Sequence, residues 1–107
     1  MYSTILTALQ ATGIPFAEVA WSNAPSTDYG TFAIDSAYGS HWADGHMRGQ
    51  TLEGTVHLFA HSPDPARMHV IQGALNAIDG LSWYLNSVQF EDNTKLMHWE
   101  WVVSWPE

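Results

Sequence analysis

The chain has 107 residues, with three Lys plus Arg against eleven Asp plus Glu and a formal net charge of -8. A chain of this length holds one domain with a modest core and gains from association, while so acidic a balance excludes a counterion-displacing grip on nucleic acid. Cysteine is absent, which removes disulfides, thiol catalysis and cysteine-ligated zinc, and no stretch approaches the roughly eighteen apolar residues of a membrane span.

Met1 to Ile5 carries neither the basic region nor the apolar run of a signal peptide, so cytoplasmic synthesis is the expectation. Tyr2, Ile5, Leu6 and Leu9 are spaced as one face of a short helix, with Ser3 or Thr4 near its start. Gly13 supplies a stop and Pro15 blocks continuation. Phe16 to Trp21 reads as an extended piece that buries Phe16, Val19 and Trp21, and residues 22–28 as a polar loop.

Tyr29 to Tyr38 reads as a strand with Phe32 and Ile34 on one side. The glycine-punctuated stretch 39–50 reads as a long hairpin connection, a candidate for a mobile functional loop. Thr51 to His61 is a second strand, with Val56, Leu58 and Ala60 on one side and Thr55, His57, Phe59 and His61 on the other.

Ser62-Pro63-Asp64-Pro65 marks a sharp boundary. Asp64 is placed to cap exposed amides and Pro65 to open a helix. Met68, Ile71, Leu75 and Ile78 then recur at helical spacing, and Asp79-Gly80 ends roughly fourteen residues of amphipathic helix. Residues 82–91 and 96–105 form a hairpin around Asp92 to Lys95. In its first strand Tyr84, Val88 and Phe90 are in phase while Trp83 and Leu85 are not. In its second, Trp99, Trp101, Val103 and Trp105 alternate with polar or smaller residues, a strand with one strongly apolar face.

The order helix-strand-strand-helix-strand-strand predicts an α+β fold, residues 1–107 as a single domain. Its sheet is antiparallel or mixed, of about four strands, with two helices on one face.

Six histidines raise a metal hypothesis, and most are better explained as surface or loop groups. His57 and His61 share a strand face but lie about 13 Å apart in extended chain, too far for one ion. His41 and His46 flank a loop with Asp44 between them, without HExxH or a convergent carboxylate set. His57, His61 and His98 could titrate together on a surface near neutral pH.

The carboxylates Asp35, Asp44, Glu53, Asp64, Glu91, Asp92 and Glu100 show no catalytic pairing, and no serine sits in a GxSxG turn. The expectation is therefore no catalytic, cofactor-binding or metal-binding residue. Trp21, Trp83 and Trp99 are expected in or near the core. Trp42, Asp44, His46, Met47, Arg48, Trp101 and Trp105 are the expected interface set, since indoles serve as interface anchors; core burial is the alternative for Trp101 and Trp105, and packing back on its own fold for Trp42.

The order of elements resembles that of small tail-assembly proteins of long-tailed bacteriophages and prophages. The resemblance is carried by Ala11-Thr12-Gly13-Ile14-Pro15 after the first helix, by the strand Leu52 to Phe59, and by the closing pair Leu81 to Glu91 and Met97 to Trp101. Its nearest class is the tail terminator, or tail-completion protein, with head-closure and minor tail proteins of similar size beside it.

The resemblance implies a homo-oligomer, commonly a hexameric ring, that caps the tail-tube protein and presents a face to the head–neck connector. DNA would pass through the lumen without specific binding, eased by acidic groups. It implies a place in the virion tail, and in the host cytoplasm during assembly. It carries over no catalytic residue and no cofactor. The alternatives are a small enzyme or ligand- or metal-binding domain using His41, Asp44, His46 and His57, or an acidic adaptor or immunity-type interaction protein.

Overall fold

The computed structural model describes residues 1–107. Its elements in chain order are α1 (Tyr2–Gln10), β1 (Phe16–Glu18), β2 (Tyr29–Ala43), β3 (His46–Ala60), α2 (Ala66–Asn76), β4 (Ser82–Glu91) and β5 (Leu96–Pro106). The five strands form one open sheet in the order β1-β2-β3-β5-β4, antiparallel except for the parallel β1–β2 pair. The fold is α+β as the pattern predicts, with a mixed sheet of five strands in place of about four.

One face of the sheet holds the core. Phe32, Val56, Leu58, Ala60, Trp99, Trp101, Val103 and Trp105 meet Ile5 and Leu9 of α1 and Ile71 and Leu75 of α2, all of them buried. Period-two burial along β3 and β5 follows directly from the alternation of apolar and polar residues. The Trp101 indole N–H, fully buried, donates to Gln72 Oε1 at 3.2 Å, so the largest core side chain leaves no orphan donor. Phe16 of β1 lies across Gly30, its ring occupying the space a Gly30 side chain would need. Glycine at that position is what lets the parallel edge strand close against β2.

Helix ends follow the sequence signals in part, with α1 starting at Tyr2 ahead of Ser3 and Pro65 standing just before the first residue of α2. Gly13 has a φ of 86° after α1, and Asp64 Oδ1 accepts the Ala66 N–H at 2.8 Å at the start of α2. The helix itself closes at Asn76, ahead of the expected Asp79-Gly80. Tyr2 ties α1 to β1 by donating its hydroxyl to Glu18 at 2.6 Å. That bond, then burial and the Glu18 charge, push the phenol up to about 12.

Three expectations need correction. The stretch 39–50 is not a loop, because both strands continue through it and meet in a two-residue turn. Asp44 and Gly45 have φ of 53° and 75°, as the turn type that matches strand twist requires, and Asp-Gly is a favoured pair for it. Trp21 is half-buried on the opposite face of the sheet from the core, where its N–H donates to Gly30 O at 2.9 Å and its ring meets Tyr29 edge-on. Tyr84 does not share a face with Val88 and Phe90. A bulge between Leu85 and Ser87 shifts the register, so Tyr84 opposes Val102 while Val88 opposes the core residue Trp99.

Candidate functional site

Two regions outside the core combine chemistry with exposure, and the order of the strands creates both. The first is the open face of the sheet. Parallel neighbours need a crossover, and here the 19–28 segment makes it without a helix, passing over the face opposite α1 and α2. The result is a groove of about 360 Å³ between Val19, Trp21 and Ala24 on one side and Tyr29, His57 and His98 on the other. Val19, which the sequence predicts to be buried with Phe16, instead sits on its rim with φ 65°, mostly exposed, because the chain turns off the sheet edge there. That is a strained conformation for a β-branched residue.

Antiparallel pairing sets His57 opposite Glu100 and Phe59 opposite His98, so two imidazoles and a carboxylate converge on neighbouring strands. His57 Nδ1 lies 2.7 Å from His98 Nε2 and 3.6 Å from Glu100 Oε1. At 2.7 Å one nitrogen carries a hydrogen and the other accepts it. His98 Nδ1 stands 3.4 Å from Glu91 Oε2, and Asn86 Nδ2 donates to Glu100 Oε2 at 2.7 Å.

An aromatic stack continues the row. Tyr29 lies on Phe59 with centroids 5.0 Å apart, and Phe59 on His98 at 4.4 Å. Burial holds the His57 imidazole below its ordinary range, and His98 pushes the same way, while Glu100, Asp35 and Glu91 oppose them. The donor atoms of His57, His98 and Glu100 all fall within 4.8 Å of one another.

His61 takes no part in this cluster. It leans on Asp28, whose Oδ1 accepts from the His61 backbone N–H and lies 3.0 Å from its Nδ1, with Arg67 Nε 3.3 Å from the other oxygen. Burial alone would raise the Asp28 carboxyl. The His61 ring and backbone hydrogen bonds and the Arg67 and His61 charges outweigh it and hold the pKa below the usual carboxylate value.

The second region is the far end of the β2–β3 hairpin. β5 pairs with β3 only as far as Thr51, and β1 covers β2 only at residues 30–32. Beyond that the hairpin is a two-stranded ribbon, which gives the molecule its 52 Å long dimension against 27 and 22 Å. Tyr38, Trp42 and Met47 project from it into solvent, Trp42 with 63% of its surface exposed. Asp44, His46 and Arg48 cluster at the same tip and are exposed.

Of the expected interface set, Trp42, Asp44, His46, Met47 and Arg48 therefore lie together on the surface. Trp101 and Trp105 do not join them: they are buried in the chain's own core and offer no face to a partner. The expected site of His41, Asp44, His46 and His57 is not assembled. The first three are at the hairpin tip and His57 is in the body of β3, roughly 35 Å away along an extended strand.

The sequence groups His57 and His98 with His61 on one surface; the structure brings the first two into contact, puts Glu100 in place of His61, and makes them a ligand set that strands 41 residues apart do not reveal by spacing. No family model matches the chain, and no curated protein matches it.

Proposed function

We propose that the protein is an acidic interaction protein that works by assembling with further copies of itself through the β2–β3 arm. The observation that carries this reading is the arm itself, a ribbon leaving the body with Tyr38, Trp42 and Met47 exposed. A two-stranded ribbon is marginally stable alone in water, and exposed aromatic and Met side chains are what interface cores are enriched in. An arm and the surface that receives it are different patches; where the exchange is not reciprocal the contact is heterologous, and repeated contacts of that kind close into a ring when the rotation permits.

This is the mode of assembly that the resemblance to tail-completion proteins implies. In its specific form, a ring, commonly hexameric, ends the tail tube, meets the head–neck connector and lets DNA pass without specific binding. The test is native mass over a concentration series, with and without the tail-tube protein. Assembly that weakens at least several-fold in a Trp42→Ser, Met47→Ser variant supports the reading. A monomer at every concentration that also ignores the tube protein overturns it.

A second reading, a small ligand- or metal-binding domain, is favoured by one specific observation. The open face gathers His57, His98 and Glu100 beside a groove, in place of the His41–His46 tip. The two readings use different parts of the molecule and are tested separately.

A further inference from the structure

We infer that His57, His98 and Glu100 form a binding site for a single divalent transition-metal ion, best matched by Zn²⁺, on the open face of the sheet. This deepens the second reading above and does not depend on self-association through the arm.

Two imidazole nitrogens and one carboxylate oxygen form a set that Zn²⁺ takes in three-ligand sites, with the fourth position left to water or a ligand. Zinc–nitrogen bonds of about 2.0–2.1 Å in tetrahedral geometry place two ligand nitrogens roughly 3.4 Å apart. His57 Nδ1 and His98 Nε2 are 2.7 Å apart, and His57 Nδ1 and Glu100 Oε1 3.6 Å. Glu100 Oε1 is already at a suitable spacing from His57 and lies within 4.8 Å of the His98 donor, and the two rings need to separate by well under 1 Å. Both histidines keep some solvent access, so a small side-chain rotation suffices. On entry the ion takes the place of the hydrogen between the two rings: His57 gives up the proton on Nδ1 and takes one up on Nε2, so both rings ligate as neutral imidazoles with no net proton released.

The surroundings of the ligands are the second, independent observation. Metal-binding imidazoles commonly have the other ring nitrogen oriented by a carboxylate, and Glu91 stands in that position beside His98 Nδ1. A hydrogen on Nδ1 leaves the His98 Nε2 lone pair facing His57. Asn86 holds the far oxygen of Glu100, which turns the near oxygen toward the rings. Asn86 is also the extra residue at the β4 bulge, so the irregularity of the edge strand places it where it can do this. The Phe59 ring stacks on His98 and limits its tilt. The groove beside His57 and His98 leaves room for a fourth ligand.

The test uses the full chain, freed of any affinity tag, stripped with chelator and titrated with Zn²⁺ by calorimetry and with Co²⁺ by visible absorption. The expected result is saturation at one ion per chain and the strong visible bands of low-coordinate Co²⁺. His98→Gln and Glu100→Gln should each lower affinity by roughly tenfold or more, and Asn86→Ala, which leaves all three ligands in place, by several-fold up to about tenfold. A His41→Gln, His46→Gln double variant should bind within about twofold of the parent, with far-ultraviolet circular dichroism verifying the fold of each variant. Absence of saturable binding by the parent, or binding kept by a folded His57→Gln, His98→Gln variant, overturns the site. Native mass read in the same samples reports separately on self-association, so failure of one proposal is distinguishable from failure of the other.

Discussion

The two faces of the sheet are made by the same strands yet do opposite work. On the helix side, alternate residues of β3 and β5 are apolar and wholly buried, and the α1 and α2 side chains interdigitate with them. On the other side, residues one position away in the same strands are Thr55, His57, Phe59, His98 and Glu100, partly open to water. They are linked by hydrogen bonds and ring stacking and lie beneath no helix. The difference shows that stability and chemistry can be separated by a single step of strand phase. The covered face tolerates little change because its cost is packing. The open face is held together by hydrogen bonds and ring stacking among groups that stay within reach of water.

Cutting into the covered face should have the largest effect. Trp101→Ala removes the largest fully buried side chain and the partner of Gln72. It is expected to cost about 3–5 kcal/mol in urea unfolding, a large share of the stability of a domain this size. A loss below about 1 kcal/mol would break the contrast.

Next comes the polar anchor at the edge of the open face. Asp28→Asn should cost about 1–1.5 kcal/mol, because it weakens charge-assisted contacts with His61 and Arg67, both more than half exposed and so screened by water. The folded-state pKa of Asp28 is depressed. Its contribution is therefore present above the unfolded carboxyl value near 4 and lost as pH falls through the lower folded value. A melting series from pH 6 down to pH 2 should show parent and variant converging at the acid end.

A smaller effect, of opposite sign, is expected at the groove rim. Val19→Gly relieves a left-handed backbone in a β-branched residue and should stabilise by about 1 kcal/mol, read as a raised melting temperature. The smallest effect on folding belongs to the arm. Trp42→Ser should change monomer stability by less than about 0.5 kcal/mol, since Trp42 is exposed, while reducing self-association. A large change in monomer unfolding would place Trp42 with the covered face.

Much of the fold was legible from local pattern. The Trp99–Trp105 alternation, the Ile71–Leu75 spacing and the Asp64-Pro65 helix start are signals carried by neighbours in sequence, and each appears where expected. The arm was misread because glycines at 39, 45 and 49 look like loop punctuation. Asp44-Gly45, the pair that makes a tight hairpin turn, was present but was read together with its neighbours as one irregular stretch.

The phase of β4 was misread at a bulge. A period-two reading cannot detect such an irregularity, since one unpaired residue moves everything after it to the other face. The bulk of its indole predicts core burial for Trp21, but the ring lies on the other face. Nothing local says on which side of a sheet a crossover will pass.

By itself, the sequence determined the two helices, the main strands, the apolar faces of β3 and β5 and the α+β class, because hydrophobic periodicity is a property of short segments. Only the tertiary structure decided that β5 inserts between β3 and β4 and that β1 adds a parallel edge. It also decided that His57 and His98 meet, since strand order and register depend on long-range pairing that no local spacing encodes.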